Sequence, residues 1–137
     1  MKGKRFWIAS AVLFIVWMIL DYLFHEVLLG DAYRATPGLW RSPEEMSRLM
    51  PLMGLGTLIY CVFFVFVFSK GREGKGIREG LRFGLSIGIL FSAPMAIGSY
   101  VSMPLTGWLA GMWFVIGMVE NLVGGAITAA IYRPPGS

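Results

Sequence analysis

Apolar residues run along the chain in four long blocks, separated by short stretches where Gly, Pro and charge collect. The blocks lie near residues 6–29, 50–69, 81–103 and 107–132. A helix rising about 1.5 Å per residue would carry each of them across about 30 Å of hydrocarbon. A barrel would instead need strands of about ten residues alternating in polarity, and that alternation is absent. Backbone groups in hydrocarbon must be satisfied within the spanning structure, which leaves helices. The pattern therefore predicts an all-α integral membrane protein, a four-helix antiparallel bundle forming one transmembrane domain over 1–137.

Composition agrees with the pattern and narrows the class. With 56% hydrophobic and 15% charged residues in 137 positions, and a mean hydropathy of +0.67, the chain could not hide its apolar surface as a small soluble domain. The single cysteine, Cys61, lies inside an apolar run, which excludes a disulfide framework within the chain. A basic start followed by Phe6–Leu20 is shared with secretory signals. No small-x-small cleavage site follows Leu20, and the chain continues through Asp21 to Glu26, so an uncleaved first span is expected.

Charge orients the spans. Lys2, Lys4, Arg5, Lys70, Arg72, Lys75, Arg78, Arg82 and Arg133 fall on one side, against Arg34, Arg41 and Arg48 on the other. The positive-inside bias puts both termini and the Lys70–Arg82 loop in the cytoplasm. The net charge of +4 thus fits topology, and no nucleic-acid partner is expected, because there is no folded basic face to line. In the outer segment Ser42-Pro43-Glu44-Glu45 reads as a helix start: a cap, Pro at the first helical position and carboxylates in the first turn. A short interfacial helix leading into span two is expected there, with Trp40 as an anchor. The glycines of Lys70–Gly76 lack the strand and Lys-Ser/Thr ending of a phosphate-binding loop; a basic, mobile connector touching anionic lipid is the plainer expectation.

Ionisable groups inside membrane helices cost about 2.5 to 3.5 kcal/mol each on insertion scales and usually face a bundle interior. Three carboxylates lie there: Asp21, Glu26 and Glu120. Counted from the cytoplasmic ends, Asp21 is about 22 Å up its helix and Glu120 about 18 Å up, nearly one level. Thr57, Tyr60, Ser92 and Asn121 fall within about two turns of that plane. Asp21 and His25 are four apart and share a helical face, so the carboxylate could orient the imidazole. Asp21, His25, Glu120 and Asn121 are the expected polar site, with Glu26, Thr57, Tyr60 and Ser92 as contributors. Glu26 is near enough to the outer interface to pair with Arg34 or Arg48.

Gly84/Gly88, Gly107/Gly111 and the Gly117-Asn121-Gly125 stripe are small residues four apart, suited to close helix contact. Span two, with Phe63, Phe64, Phe66 and Phe68, is bulky and expected to face lipid. Pro94 is expected to kink span three near the polar layer.

His25-Glu26-Val27-Leu28-Leu29-Gly30-Asp31-Ala32-Tyr33, Leu39-Trp40-Arg41-Ser42-Pro43-Glu44-Glu45-Met46, Lys70–Gly76 and Ile131-Tyr132-Arg133-Pro134 resemble small bacterial four-span integral membrane proteins of unknown function. The resemblance covers nearly the whole chain and implies an inner-membrane location. The expected function is a small carrier or binding protein for a proton-coupled or small polar or cationic solute, in contact with the lipid bilayer. The alternative is a structural or assembly subunit of a larger membrane complex, or a homo-oligomer. Metal binding at His25 is left open, no cofactor is predicted, and no nucleophile, base and orienter combine into an enzyme motif.

Overall fold

The structure is a computed structural model, and it describes residues 3–132. Among the described residues every regular element is helical. Helix α1 (Lys4–Asp21) passes directly into a π-helical segment, Tyr22–Leu28; a short α2 (Gly30–Arg34) and a 3-10 turn (Pro37–Leu39) follow. Three long helices complete the chain: α3 (Pro43–Gly71), α4 (Ile77–Ser102) and α5 (Gly107–Ile131). Four stretches, Lys4–Leu28, Pro43–Gly71, Ile77–Ser102 and Gly107–Ile131, are long and apolar enough to cross a membrane. Lys2 and Arg133, counted in the orientation argument, lie outside the described residues.

The helix start at Ser42 forms as its residues dictate: the Ser42 hydroxyl accepts from the Glu45 N–H at 3.2 Å, and Pro43 opens the helix. It does not form a separate short element, however. The helix runs on unbroken through Pro51 to Gly71, because the missing Pro51 N–H costs one backbone bond while the apolar run beyond it continues to favour helix. The short helix of this end is α2, earlier in the chain. Helix α4 likewise continues past Pro94.

The closest packing is between α4 and α5. Gly80 lies against Gly125, Gly84 against Asn121 and Ser92 against Gly117, so the two helices run antiparallel with backbone on backbone. A Cβ built on Gly84 would sit 2.2 Å from the Asn121 carbonyl oxygen, and one on Gly125 would sit 1.9 Å from that of Gly80. Only glycine permits such an approach. Gly84, Gly88, Gly117 and Gly125 each meet the facing helix in this seam. A Cβ on Gly107 or Gly111, at the start of α5, meets nothing within 4 Å among the described residues.

Helix α1 packs against α3 and α5 by a different means, large side chains. Phe6, Ala9, Leu13 and Trp17 of α1 form one buried cluster with Cys61, Phe64 and Val65 of α3. Span two is therefore not a uniform lipid-facing surface: Phe64 and Phe68 are buried while Phe63 is half exposed. The helical repeat explains the split, since Cys61, Phe64, Val65 and Phe68 share one face and Phe63 points away from it. Phe83 of α4 closes the group edge-on to Phe64 and Phe68.

The loop between α3 and α4 is ordered by Glu79 rather than left as a loose connector. This buried carboxylate accepts from the Glu73 N–H at 2.5 Å and the Lys75 N–H at 2.8 Å. Gly74 and Gly76 take φ of 77° and 75° to let the chain turn there. The Lys75 ammonium in turn pairs with Glu73 and holds its carboxyl below the usual range.

Candidate functional site

The polar residues expected in one layer divide into three connected groups. Helix α1 carries Asp21 in its last turn, and α5 carries Glu120 near its centre. Asp21 is the ionisable neighbour that acts on the Glu120 carboxyl. Glu120 is 5% exposed, and its Oε2 is buried with no hydrogen-bond donor near it. Two ionised carboxylates would offer only acceptors to each other, so any hydrogen bond between them needs a shared proton. A neutral, protonated carboxyl is the stable way to keep an acid group in an apolar interior.

Asn121, next to Glu120 in sequence, points elsewhere on the helix. Its Oδ1 accepts from the Tyr60 hydroxyl at 2.5 Å, and its Nδ2 donates to the Gly117 carbonyl at 2.7 Å. Asn121 thus ties α3 to α5 from within the α4–α5 seam. Tyr60 is packed at 5.3 Å between ring centroids from Trp17 and 5.6 Å from Phe91, so aromatic rings from α1 and α4 fix its hydroxyl.

His25 belongs to the third group. Its Nδ1 is 2.7 Å from the Tyr33 hydroxyl, which accepts from Trp113 Nε1 at 2.7 Å. Indole N–H is a donor only, so the Tyr33 oxygen receives it. The direction of the Tyr33–His25 bond follows the imidazole tautomer: Tyr33 donates when Nδ1 is bare and accepts when Nδ1 carries the proton. Burial holds the Tyr33 phenol above the usual tyrosine range, with the Trp113 bond acting the other way. The imidazole is oriented by Tyr33 rather than by a hydrogen bond from Asp21, although it remains within the electrostatic reach of Asp21 and Glu26.

The remaining expected contributors lie outside these groups. The Thr57 hydroxyl returns to the Met53 carbonyl of its own helix. Ser92 is buried beneath Gly117 and serves the seam. Glu26 is exposed, and Arg34 pairs with Asp31 instead. Tyr33 and Trp113 were not legible as partners of His25, because 80 residues separate them and no periodicity links such positions. The available signal was weaker: an aromatic side chain with a polar tip in each of two segments that reach the same end of the molecule.

On either side of the carboxyl pair lie apolar clusters of different character. Toward the end carrying the α3–α4 loop, Gly124 is faced by Trp17, Leu13 and Phe64 at 3.0, 3.1 and 3.5 Å from its ideal Cβ. Toward the other end Leu29, Leu105, Leu109 and Ile116 form a buried cluster around which Tyr33, Trp40 and Trp113 pack. Among the described residues no three or more His, Cys, Asp or Glu side chains converge as a metal site. No protein-family model, curated protein or solved structure matches the chain.

Proposed function

We propose that the protein is a four-span antiparallel helical bundle of the bacterial inner membrane, with the α3–α4 loop in the cytoplasm, and that it carries or binds a small polar or cationic solute coupled to a proton. The observation that carries this is the approach of Asp21 and Glu120, two carboxyl groups that belong to two membrane-length stretches, with Glu120 near the middle of its own. A carboxyl pair can trade a proton for a cation without leaving a bare negative charge in hydrocarbon. The α2 segment and the first turns of α3 would lie at the outer interface, anchored by Trp40. The basic Lys70–Arg82 side faces the cytoplasm under the positive-inside rule.

The test is flux in proteoliposomes carrying an imposed pH gradient, with internal pH read by a trapped dye and a panel of small cations supplied outside. Wild-type protein is expected to couple proton movement to at least one cation, and Glu120→Gln to abolish the coupling. Identical traces for both proteins across the panel would overturn the proposal. A second reading, an assembly subunit of a larger complex, draws on one specific feature: Gly107 and Gly111 leave a small-residue face of α5 without a neighbour among the described residues. It predicts co-purifying subunits and full tolerance of Glu120→Gln.

A further inference from the structure

Two routes lead from the carboxyl pair to the ends of the molecule, and they differ in chemistry. Toward the α3–α4 loop, the layer next to Glu120 is a plug of Leu13, Trp17, Cys61, Phe64 and Val65, all buried, in which Leu13, Trp17 and Phe64 close on Gly124. The first polar side chain beyond it on α5, Thr128, is fully buried with no hydrogen-bond partner for its hydroxyl, as in a dry layer. Toward the other end, the apolar cluster of Leu29, Leu105, Leu109 and Ile116 is bypassed by polar groups. One helical turn from Asp21 stands His25, then the Tyr33 hydroxyl bonded to its Nδ1, with Trp113 fixing that hydroxyl from α5.

We infer that His25, held by Tyr33, relays protons between solvent at the α2 end and the Asp21–Glu120 pair, while the Trp17–Phe64 plug closes the other end in this conformation. The inference rests on the proton-handling role proposed for the pair and adds which residue serves it and from which side.

The geometry supplies what a relay needs. The ring is half buried in the π-helical segment, whose widened turn is closed by the Leu29 N–H to Phe24 carbonyl bond at 2.9 Å. Such π segments are frequent at functional positions. The charged and titratable groups acting on His25 are Asp21 and Glu26 from its own helix and Tyr33 from α2. Asp31 and Arg34, which flank Tyr33 on α2 outside the membrane-length stretches, carry exposed charge, so this end of the chain of groups meets solvent. In the transfer, the imidazole gains one proton from water. It then gives one ring proton to the ionised carboxylate of the pair and returns to neutral. Because Tyr33 can accept as well as donate, its hydroxyl turns to accept from Nδ1–H while the ring is charged. The reverse sequence releases the proton.

The experiment is an infrared measurement of the pair's protonated-carboxyl band in right-side-out and inside-out vesicles after a pH jump in the external medium. A band present in wild type and lost in Glu120→Gln establishes the signal. The expected result is a fast response in the orientation that exposes the α2 end and a slow one in the other. His25→Ala should slow the fast response about a hundredfold, the lower end of what a positioned acid–base group contributes. Added imidazole should restore it, which no loss of packing would explain. Tyr33→Phe should slow it less, and Trp17→Ala should quicken the response from the plugged end. A wild-type rate in His25→Ala, or equal rates from both sides, overturns the relay. Absence of any Glu120-dependent band overturns the proposed function itself, so the two failures are distinguishable.

Discussion

The α4–α5 seam and the α1–α3 wall hold helices together by opposite means. In the seam, side chains are reduced to almost nothing, and Gly80, Gly84, Gly117 and Gly125 let backbones or a serine side chain touch. In the wall, Phe6, Leu13, Trp17, Phe64 and Val65 fill the space between helices that stand further apart. In water both would be driven together by the hydrophobic effect. In lipid that drive is largely absent, and fit takes its place. A seam made of glycine cannot tolerate an added atom, whereas a wall made of rings cannot tolerate a missing one.

Breaking that contrast at its strongest point means adding one methyl to the seam. Gly84→Ala should cost about 3 kcal/mol, the upper end for overpacking, because the clashing atom is a backbone oxygen that has nowhere to go. Reversible unfolding in mixed detergent micelles would measure it, and a cost near zero would show that the helices slide freely. In the wall the harmful change is removal. Phe64→Ala should cost about 2 kcal/mol, below the range of about 3–5 kcal/mol for a core phenylalanine in water, because hydrocarbon outside is as apolar as the cluster and only the cavity left behind is unfavourable. The same unfolding assay reads it, and it should exceed the cost of Phe63→Ala, whose ring is 51% exposed. The smallest effect sharpens the boundary of the seam. Gly111→Ala, with open space around it, should change stability by no more than about 0.5 kcal/mol. A large loss there in the protein at high concentration, but not on dilution, would instead reveal a neighbour in an assembly.

Much of this division could be read from the residues, and its failures have physical causes. Long apolar blocks located the four membrane-length helices, since hydrophobic length is a one-dimensional property. Helix ends moved where capping and helix continuation act beyond the apolar run: α3 begins at Pro43 rather than near 50, and α4 at Ile77 rather than near 81. Gly80 was missed for that reason, lying just outside the block whose face it shares. The approach of Asp21 and Glu120 was also legible, because rise per residue is nearly constant. Which neighbours each polar group would choose was not. Tyr60 takes Asn121 and Tyr33 takes His25 through contacts 61 and 8 residues apart in sequence, and the second depends on α2 folding back across the end of the molecule. Neither follows from spacing along one helix.

The seam also bears on how the chain is made. Helix α4 has the weakest hydropathy of the four membrane-length stretches, 1.5 against 2.1, 2.2 and 1.7, and five of its buried positions are glycine, serine or alanine. A translocating pore would hold such a segment poorly by itself. The turn from Met103 to Thr106 is short enough for α5 to follow at once, and their matched glycines let the pair leave the pore as one hairpin. The residues that give the finished protein its closest contact would then also set the order in which its last half enters the bilayer.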